Sequence, residues 1–210
     1  FLLKNDNWSG LVIDGSRESA NYIRSDEIYY QHQLEVVQAF ITAENINELI
    51  ASGGLSGEIG LLSIDIDGND YWIWKAIHLV QPVIVIVEYN SVMGKDRAVT
   101  VPYKPDFVRE KEHYSHLYFG ASLKALCLLA EEKGYAFVGC NSYGNNAYFI
   151  KKEKLGSLKA LTPEEGYVMS HFRESRDKQG NMSYLSGNDR YACIKGLQVY
   201  NVVSNSIEEL

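Results

Sequence analysis

Residues 61–71, read as L-L-S-I-D-I-D-G-N-D-Y, set an apolar run directly before three aspartates, a glycine and an asparagine. Ile59, Leu61, Leu62, Ile64 and Ile66 read as a strand covered on both faces, and the run 71–77 that follows reads as an amphipathic helix. A buried strand, a polar turn and a helix in that order constrain the chain to an α/β arrangement, with acids at the strand's carboxyl end. In open α/β sheets ligands bind at that edge, which makes Asp65, Asp67 and Asp70 candidates for function. Asp67 is expected there with its side chain free of structural partners, whereas Asp70 is expected to cap the helix.

The rest of the chain repeats the alternation. Leu11, Val12 and Ile13 form a strand-like run closed by Asp14-Gly15-Ser16, and a helical segment follows from Ser16 to about Gln33. Residues 36–41 predict a third strand, and Thr42-Ala43-Glu44-Asn45 leads into a helix stopped by Gly53-Gly54. Pro82 and the β-branched run behind it predict a strand ending at Glu88-Tyr89-Asn90. Strand after strand therefore ends in carboxylates or amides. Asp14 in such a place either accepts hydrogen bonds from a ribose diol or is a turn aspartate.

Residues 91–119 read as a long polar connection rich in tyrosine, and loops of this length in compact domains are lids or substrate loops. His113 and His116 lie three apart within it, a spacing that puts both on one helical face; with no cysteine or acid pattern nearby, an acceptor-site or surface role is expected rather than a metal. Gly120-Ala121-Ser122 opens a helix ended by Gly134, and two strand-like runs, 135–140 and 146–150, predict an antiparallel hairpin. Thr162-Pro163-Glu164-Glu165 has capping-box spacing and predicts a helix to about Arg176. The tail beyond it carries no legible pattern.

Composition narrows the function classes. A formal net charge of −7 opposes a nucleic-acid backbone, so no nucleic-acid partner is expected. Cys127, Cys140 and Cys193 make an odd count without C-x-x-C spacing, which implies neither a disulfide framework nor a zinc site but a reducing compartment. No apolar run approaches the roughly 20 residues that span a bilayer. A soluble cytoplasmic protein without membrane attachment is expected, its oligomeric state open.

The central string admits several readings. A calcium loop wants glycine at its sixth place and glutamate at its twelfth; counted from Asp65, those places hold Asp70 and Ala76. The D-x-D-G stretch also resembles the nucleophile loop of haloacid-dehalogenase-like, magnesium-dependent phosphohydrolases, which would make Asp65 the nucleophile and Asp67 the proton shuttle. Asn69 stands where that motif has threonine, and no adjacent acidic pair follows on a later apolar strand.

The chain most resembles the FkbM-like methyltransferases, in Trp8-Ser9-Gly10-Leu11 with Asp14-Gly15, Thr42-Ala43-Glu44-Asn45-Ile46-Asn47 and the whole of 63–71. Further phrases are Glu88-Tyr89-Asn90, Val101-Pro102-Tyr103, Gly120-Ala121-Ser122-Leu123 and Gly134-Tyr135. The resemblance implies a Rossmann-like class I methyltransferase: a seven-stranded sheet with helices on both faces, whose last strand is antiparallel and closes a C-terminal hairpin. It implies a methyltransferase-like domain over residues 1–152 and a C-terminal extension, 153–210, packed on it. The family's first strand and glycine loop lie upstream of the helix that Phe1 would finish, so they are expected to be missing from these residues.

By resemblance, S-adenosylmethionine is the methyl donor, and Asp14, Gly15, Thr42, Glu44, Asn45, Asp65 and Asp67 contact it. Tyr89, Asn90 and Tyr103 line the acceptor side, and Asp67, Glu88 or His116 serves as the base; no metal is implied. The acceptor is a hydroxyl on a sugar or other small metabolite. A non-catalytic interaction module built on the same fold is the remaining alternative.

Overall fold

The computed structural model describes all residues, 1–210, as an α/β protein with mixed sheets. The chain divides into two compact units, residues 1–59 with 76–81, and residues 60–75 with 82–210. No helix is long and apolar enough to cross a membrane.

The first unit opens with α1 (Leu2–Asp6), followed by β1 (Gly10–Asp14), α2 (Arg17–Ser25), α3 (Glu27–Gln31), β2 (Leu34–Gln38) and α4 (Ile46–Ser52). β1 and β2 pair in parallel, Gly10 opposite Leu34 and Asp14 opposite Gln38. The single helix expected between them is broken at Asp26. Its backbone is extended (φ −75°, ψ 145°), and its carboxylate accepts from the Ile28 amide at 2.9 Å, ending one helix and capping the next. The strand expected over 36–41 instead begins at Leu34 and stops at Gln38, leaving Phe40 half exposed. The chain leaves the sheet there because Asn45 ties the turn: its Nδ2 donates to the Phe40 carbonyl at 2.9 Å, and its Oδ1 accepts from the Thr42 amide at 2.8 Å. Ala20, Val36, Ile46, Ile50 and Val80 are buried in this unit.

In the second unit the sheet order is β3 (Gly57–Ile64), β4 (Val80–Glu88), β7 (Asn146–Lys151), β6 (Tyr135–Cys140), with β7 antiparallel to both β4 and β6. The 135–151 hairpin therefore forms as its sequence predicts. α5 (Asp70–Ala76) brings Trp74 against Phe149 of β7, ring centroids 4.9 Å apart. α7 (Leu123–Glu132) starts at Ser122, whose hydroxyl accepts from the Ala125 amide at 3.2 Å, and buries Leu123, Leu126 and Leu129. Burying such side chains contributes on the order of 1.5–3 kcal/mol each relative to exposure.

A three-stranded sheet gives the tail its place. β5 (Val99–Thr100), from the long connection, pairs with β8 (Gln198–Asn201), which pairs with β9 (Ser206–Glu209), and α9 (Asn188–Ile194) precedes them; α6 (Arg109–Glu112) lies in the connection itself. Val99, Val101, Phe107, Leu117, Phe119, Ile194 and Val199 form their shared core. The residues from 153 onward belong to this second unit.

The capping box at Thr162 is complete, but α8 (Pro163–Gly166) ends after four residues rather than running to Arg176. The chain beyond it is held extended by long-range bonds. The Tyr167 hydroxyl donates to the Ser91 carbonyl (2.7 Å), the Ser170 amide to the Ser91 hydroxyl (2.9 Å), and the His171 amide to the Tyr143 carbonyl (3.0 Å). Tertiary bonding overrides a local helix signal here.

Candidate functional site

The turn behind β3 is shaped by its own acids. Both oxygens of Asp70 accept backbone amides, Oδ1 from Ile66 and Oδ2 from Gly68, each at 3.0 Å, and the side chain is fully buried. Asp70 thus tethers the loop in front of α5 instead of capping the helix as expected. Burial outweighs those bonds and lifts its carboxyl to about 6. The Gly68 carbonyl also accepts from the Gly120 amide at 3.0 Å, and an added Cβ on Gly68 would come within 2.3 Å of the Phe107 ring.

Asp67 sits between these tethered residues in the left-handed region (φ 56°), a conformation that aspartate tolerates better than most side chains. Contrary to expectation it has a partner: Arg109 Nη1 donates to its Oδ1 at 2.6 Å. Arg109 is itself fixed, with Nε on the His116 carbonyl at 2.7 Å and the guanidinium 3.9 Å from the Phe119 ring centroid. Asp65 is raised by burial and by the Asp67 charge, with Arg109 opposing.

On the neighbouring strand, Glu88 closes β4. Its Oε2 is enclosed without a hydrogen-bond partner. Burial first, then the charges of Asp70, Asp65 and Asp67, push its carboxyl up to about 9, against the pull of Arg109. At neutral pH Glu88 is therefore a neutral acid, and perturbed carboxyls of this kind mark functional sites more often than plain surface.

Glu88 and Arg109 line one cavity of about 180 Å³, together with Tyr89, Asn90, Asn145, Ser170 and Arg190. Tyr89 and Asn90, expected to face an acceptor, do line it, yet their polar atoms are bonded elsewhere. The Tyr89 hydroxyl donates to the Val168 carbonyl at 2.6 Å. Asn90 Nδ2 donates to the carbonyls of Leu117 (2.8 Å) and Phe119 (3.0 Å), and its Oδ1 accepts from the Val92 amide at 3.0 Å. Their side-chain bonds hold the cavity wall in place.

Tyr103 packs on Trp72, ring centroids 5.9 Å apart, and does not line the cavity. Neither does His116, whose backbone is left-handed (φ 57°). The two histidines do not share a helical face, since α6 stops at Glu112; the His113 ring instead bonds the Ser115 hydroxyl at 2.7 Å. No cluster of three His, Cys, Asp or Glu side chains is arranged to hold a metal.

In the first unit, Asp14 Oδ1 accepts from the Ser16 amide at 2.6 Å, the turn bond, and the Gly15 carbonyl accepts from Gln38 Nε2 at 3.3 Å. The Asn45 amide donates to the Thr42 hydroxyl at 3.3 Å, so both side chains serve the turn into α4, where Glu44 also lies.

Sequence reasoning missed Arg109 and Arg190, the two cations of the cavity. One signal for Arg190 was present: it stands four residues before Ile194, so both fall on one helical face, and both are buried. Comparison of the chain with models of known families, with curated proteins and with solved structures found no match.

Proposed function

We propose that the protein is an S-adenosylmethionine-dependent methyltransferase that modifies a hydroxyl of a sugar or other small metabolite. One observation carries the reading: Asp65, Asp67, Asp70 and Glu88 act on one another where β3 and β4 end, beside a cavity in which Glu88 Oε2 is unbonded. Carboxyls crowded in this way raise each other's proton affinity, and a cation set among them offsets that repulsion. The strands are in keeping with it. A parallel pair and a four-stranded sheet ending in an antiparallel hairpin are six strands of the kind that a seven-stranded, Rossmann-like class I methyltransferase sheet contains.

When bound, such a donor supplies an electrophilic methyl group on a positively charged sulfur. Asp65 and Asp67 are the groups that suit this charge, and Arg109 holds Asp67 in place. Glu88, a neutral acid at neutral pH, donates a hydrogen bond to an acceptor oxygen. A cation beside it favours its ionised form, in which it is competent to take a proton from a hydroxyl. The Phe119 and Leu117 side chains in the cavity wall exclude water from that exchange.

Calorimetric titration with S-adenosylhomocysteine tests the reading. Saturable binding is expected, weakened in Asp65→Asn, a change that removes charge without emptying volume. Absence of both heat and thermal shift at millimolar ligand would overturn it.

A further inference from the structure

Arg190 is 6% exposed, yet its guanidinium has only one protein partner, the Ser170 carbonyl at 3.0 Å from Nη1. Its Nε is enclosed and has no partner at all. The titratable groups that act on it are Tyr167 and Arg109, neither of them a carboxylate. A buried guanidinium without a counter-ion is costly, and buried charges in folded proteins are normally paired. Here it lines the same cavity as Arg109, whose own charge is met by Asp67.

We propose that this cavity is an oxyanion-binding subsite, in which Arg190, assisted by Arg109, receives the carboxylate or phosphate of a small acidic metabolite. With Nη1 engaged by Ser170 and Nε enclosed, Nη2 is the nitrogen left open to a ligand oxygen, and guanidinium N–H groups meet the oxygens of a carboxylate or phosphate in forked pairs. Glu88 does not cancel this field, because it is neutral at neutral pH, and its proton is available to an oxygen of the ligand. Glu174 contributes a carboxylate to the rim, but it is exposed and lies 3.8 Å from Arg176.

At about 180 Å³ the cavity is smaller than the roughly 300–1,000 Å³ typical of sites for drug-sized ligands. It suits a compact acid, or the acidic end of a longer molecule. Phe172, beside Ser170 in the wall, supplies an apolar surface for the carbon skeleton. That this anion belongs to the methyl acceptor rests on the proposed function; the anion site itself rests on the cavity and on Arg190.

The test is calorimetry on the protein at neutral pH and constant ionic strength, without any methyl donor. The probes are inorganic phosphate, malonate and, as the neutral control, malonamide. Saturable binding of at least one oxyanion and none of malonamide is expected, and the stronger of the two oxyanions identifies the head group. Arg190→Lys, which keeps the charge and loses the fork, should weaken it by about tenfold, and Arg190→Gln by more. Arg173→Gln, a change at an exposed arginine bonded to the Tyr184 carbonyl, should leave it unchanged. Should Arg190→Gln fail to fold, Arg190→Lys is decided alone, together with a pH arm. In that arm malonate affinity falls as pH rises toward 9 in the wild type, where Glu88 ionises beside Asp65, Asp67 and Asp70, but stays level in Glu88→Gln. No binding of either oxyanion at roughly 50 mM, or equal affinity in wild type and Arg190→Lys, overturns the proposal. Because S-adenosylhomocysteine is titrated separately, the methyltransferase reading and the anion site can fail independently.

Discussion

Arg109 joins Asp67 to the body of its unit: one guanidinium nitrogen donates to the Asp67 carboxylate at 2.6 Å while the plane lies 3.9 Å over Phe119. The two residues stand 42 apart in sequence and carry unequal burdens. The Asp67 side chain is 58% exposed and that of Arg109 only 19%. Solvent screens the Asp67 end, so Asp67→Asn should change stability by less than about 1 kcal/mol, the range of exposed pairs. Arg109→Ala removes the ring contact and the His116 carbonyl's donor as well, and should cost about 2–3 kcal/mol. Thermal denaturation of the two variants checks the order, and an Asp67→Asn loss as large as that of Arg109→Ala would contradict it.

The loop that carries Asp67 is held from both ends. Asp70→Ala leaves the Ile66 and Gly68 amides without acceptors, each costing about 1–3 kcal/mol when buried. Gly68→Ala acts differently, by driving a methyl group into the Phe107 ring, a clash of the overpacking kind that costs about 1–3 kcal/mol. Phe107→Leu should recover part of that loss in the double variant and none of the loss in Asp70→Ala. A double-mutant cycle in urea measures this, and additive losses for Gly68→Ala with Phe107→Leu would refute the contact as the cause.

Much of this loop was legible, because its chemistry is local. The apolar run, the acids behind it and the helix beyond lie within a few residues, as do the Ser122 cap and the Thr162 capping box. Asp70 was misread for a related reason: an acid at a helix start looks like a cap, and only the folded turn shows its oxygens reaching back to Ile66 and Gly68. What the sequence concealed is long-range. Nothing near Tyr167 signals that Ser91 will hold it, and nothing near Asp67 points to Arg109. The tail's strands were illegible because β8 finds its partner in β5, about a hundred residues earlier, through pairing that no local pattern encodes.

Glu88 makes stability depend on pH. Its folded value of about 9 lies above its ordinary 4.5, so the folded state binds the proton more tightly. That stabilisation is fully present below pH 4.5 and is lost as pH rises through 9, at about 1.4 kcal/mol per unit in between. Asp70 adds a slope of the same sign between 3.8 and about 6. Glu88→Gln should therefore be more stable than wild type at pH 8, about equal to it at pH 4, and nearly flat from pH 6 to 9. Chemical denaturation across that range reads the difference; a wild-type curve as flat from pH 6 to 9 as that of Glu88→Gln would show that the carboxyl is already ionised in the fold.

Gly144 sets the position of the segment that holds Arg190. Its backbone is left-handed (φ 73°), and a Cβ there would stand 2.7 Å from the Met169 carbonyl group and the Ser170 nitrogen, all backbone atoms. Alanine cannot be fitted by a side-chain rotation, so the 167–171 segment must move. The left-handed conformation adds about 1–2 kcal/mol of strain for a non-glycine residue. Ser170 lies in that segment and accepts from Arg190 Nη1, so the displacement reaches the cavity without touching a charged group. Gly144→Ala is expected to lower the melting temperature and to weaken malonate binding together. Gly156→Ala, also at a left-handed glycine (φ 58°) but with no atom within 4 Å of the added Cβ, bears the strain alone. It should lower stability and leave malonate affinity unchanged. Equal affinity in the two variants would mean that the position of Ser170 does not govern how Arg190 is presented.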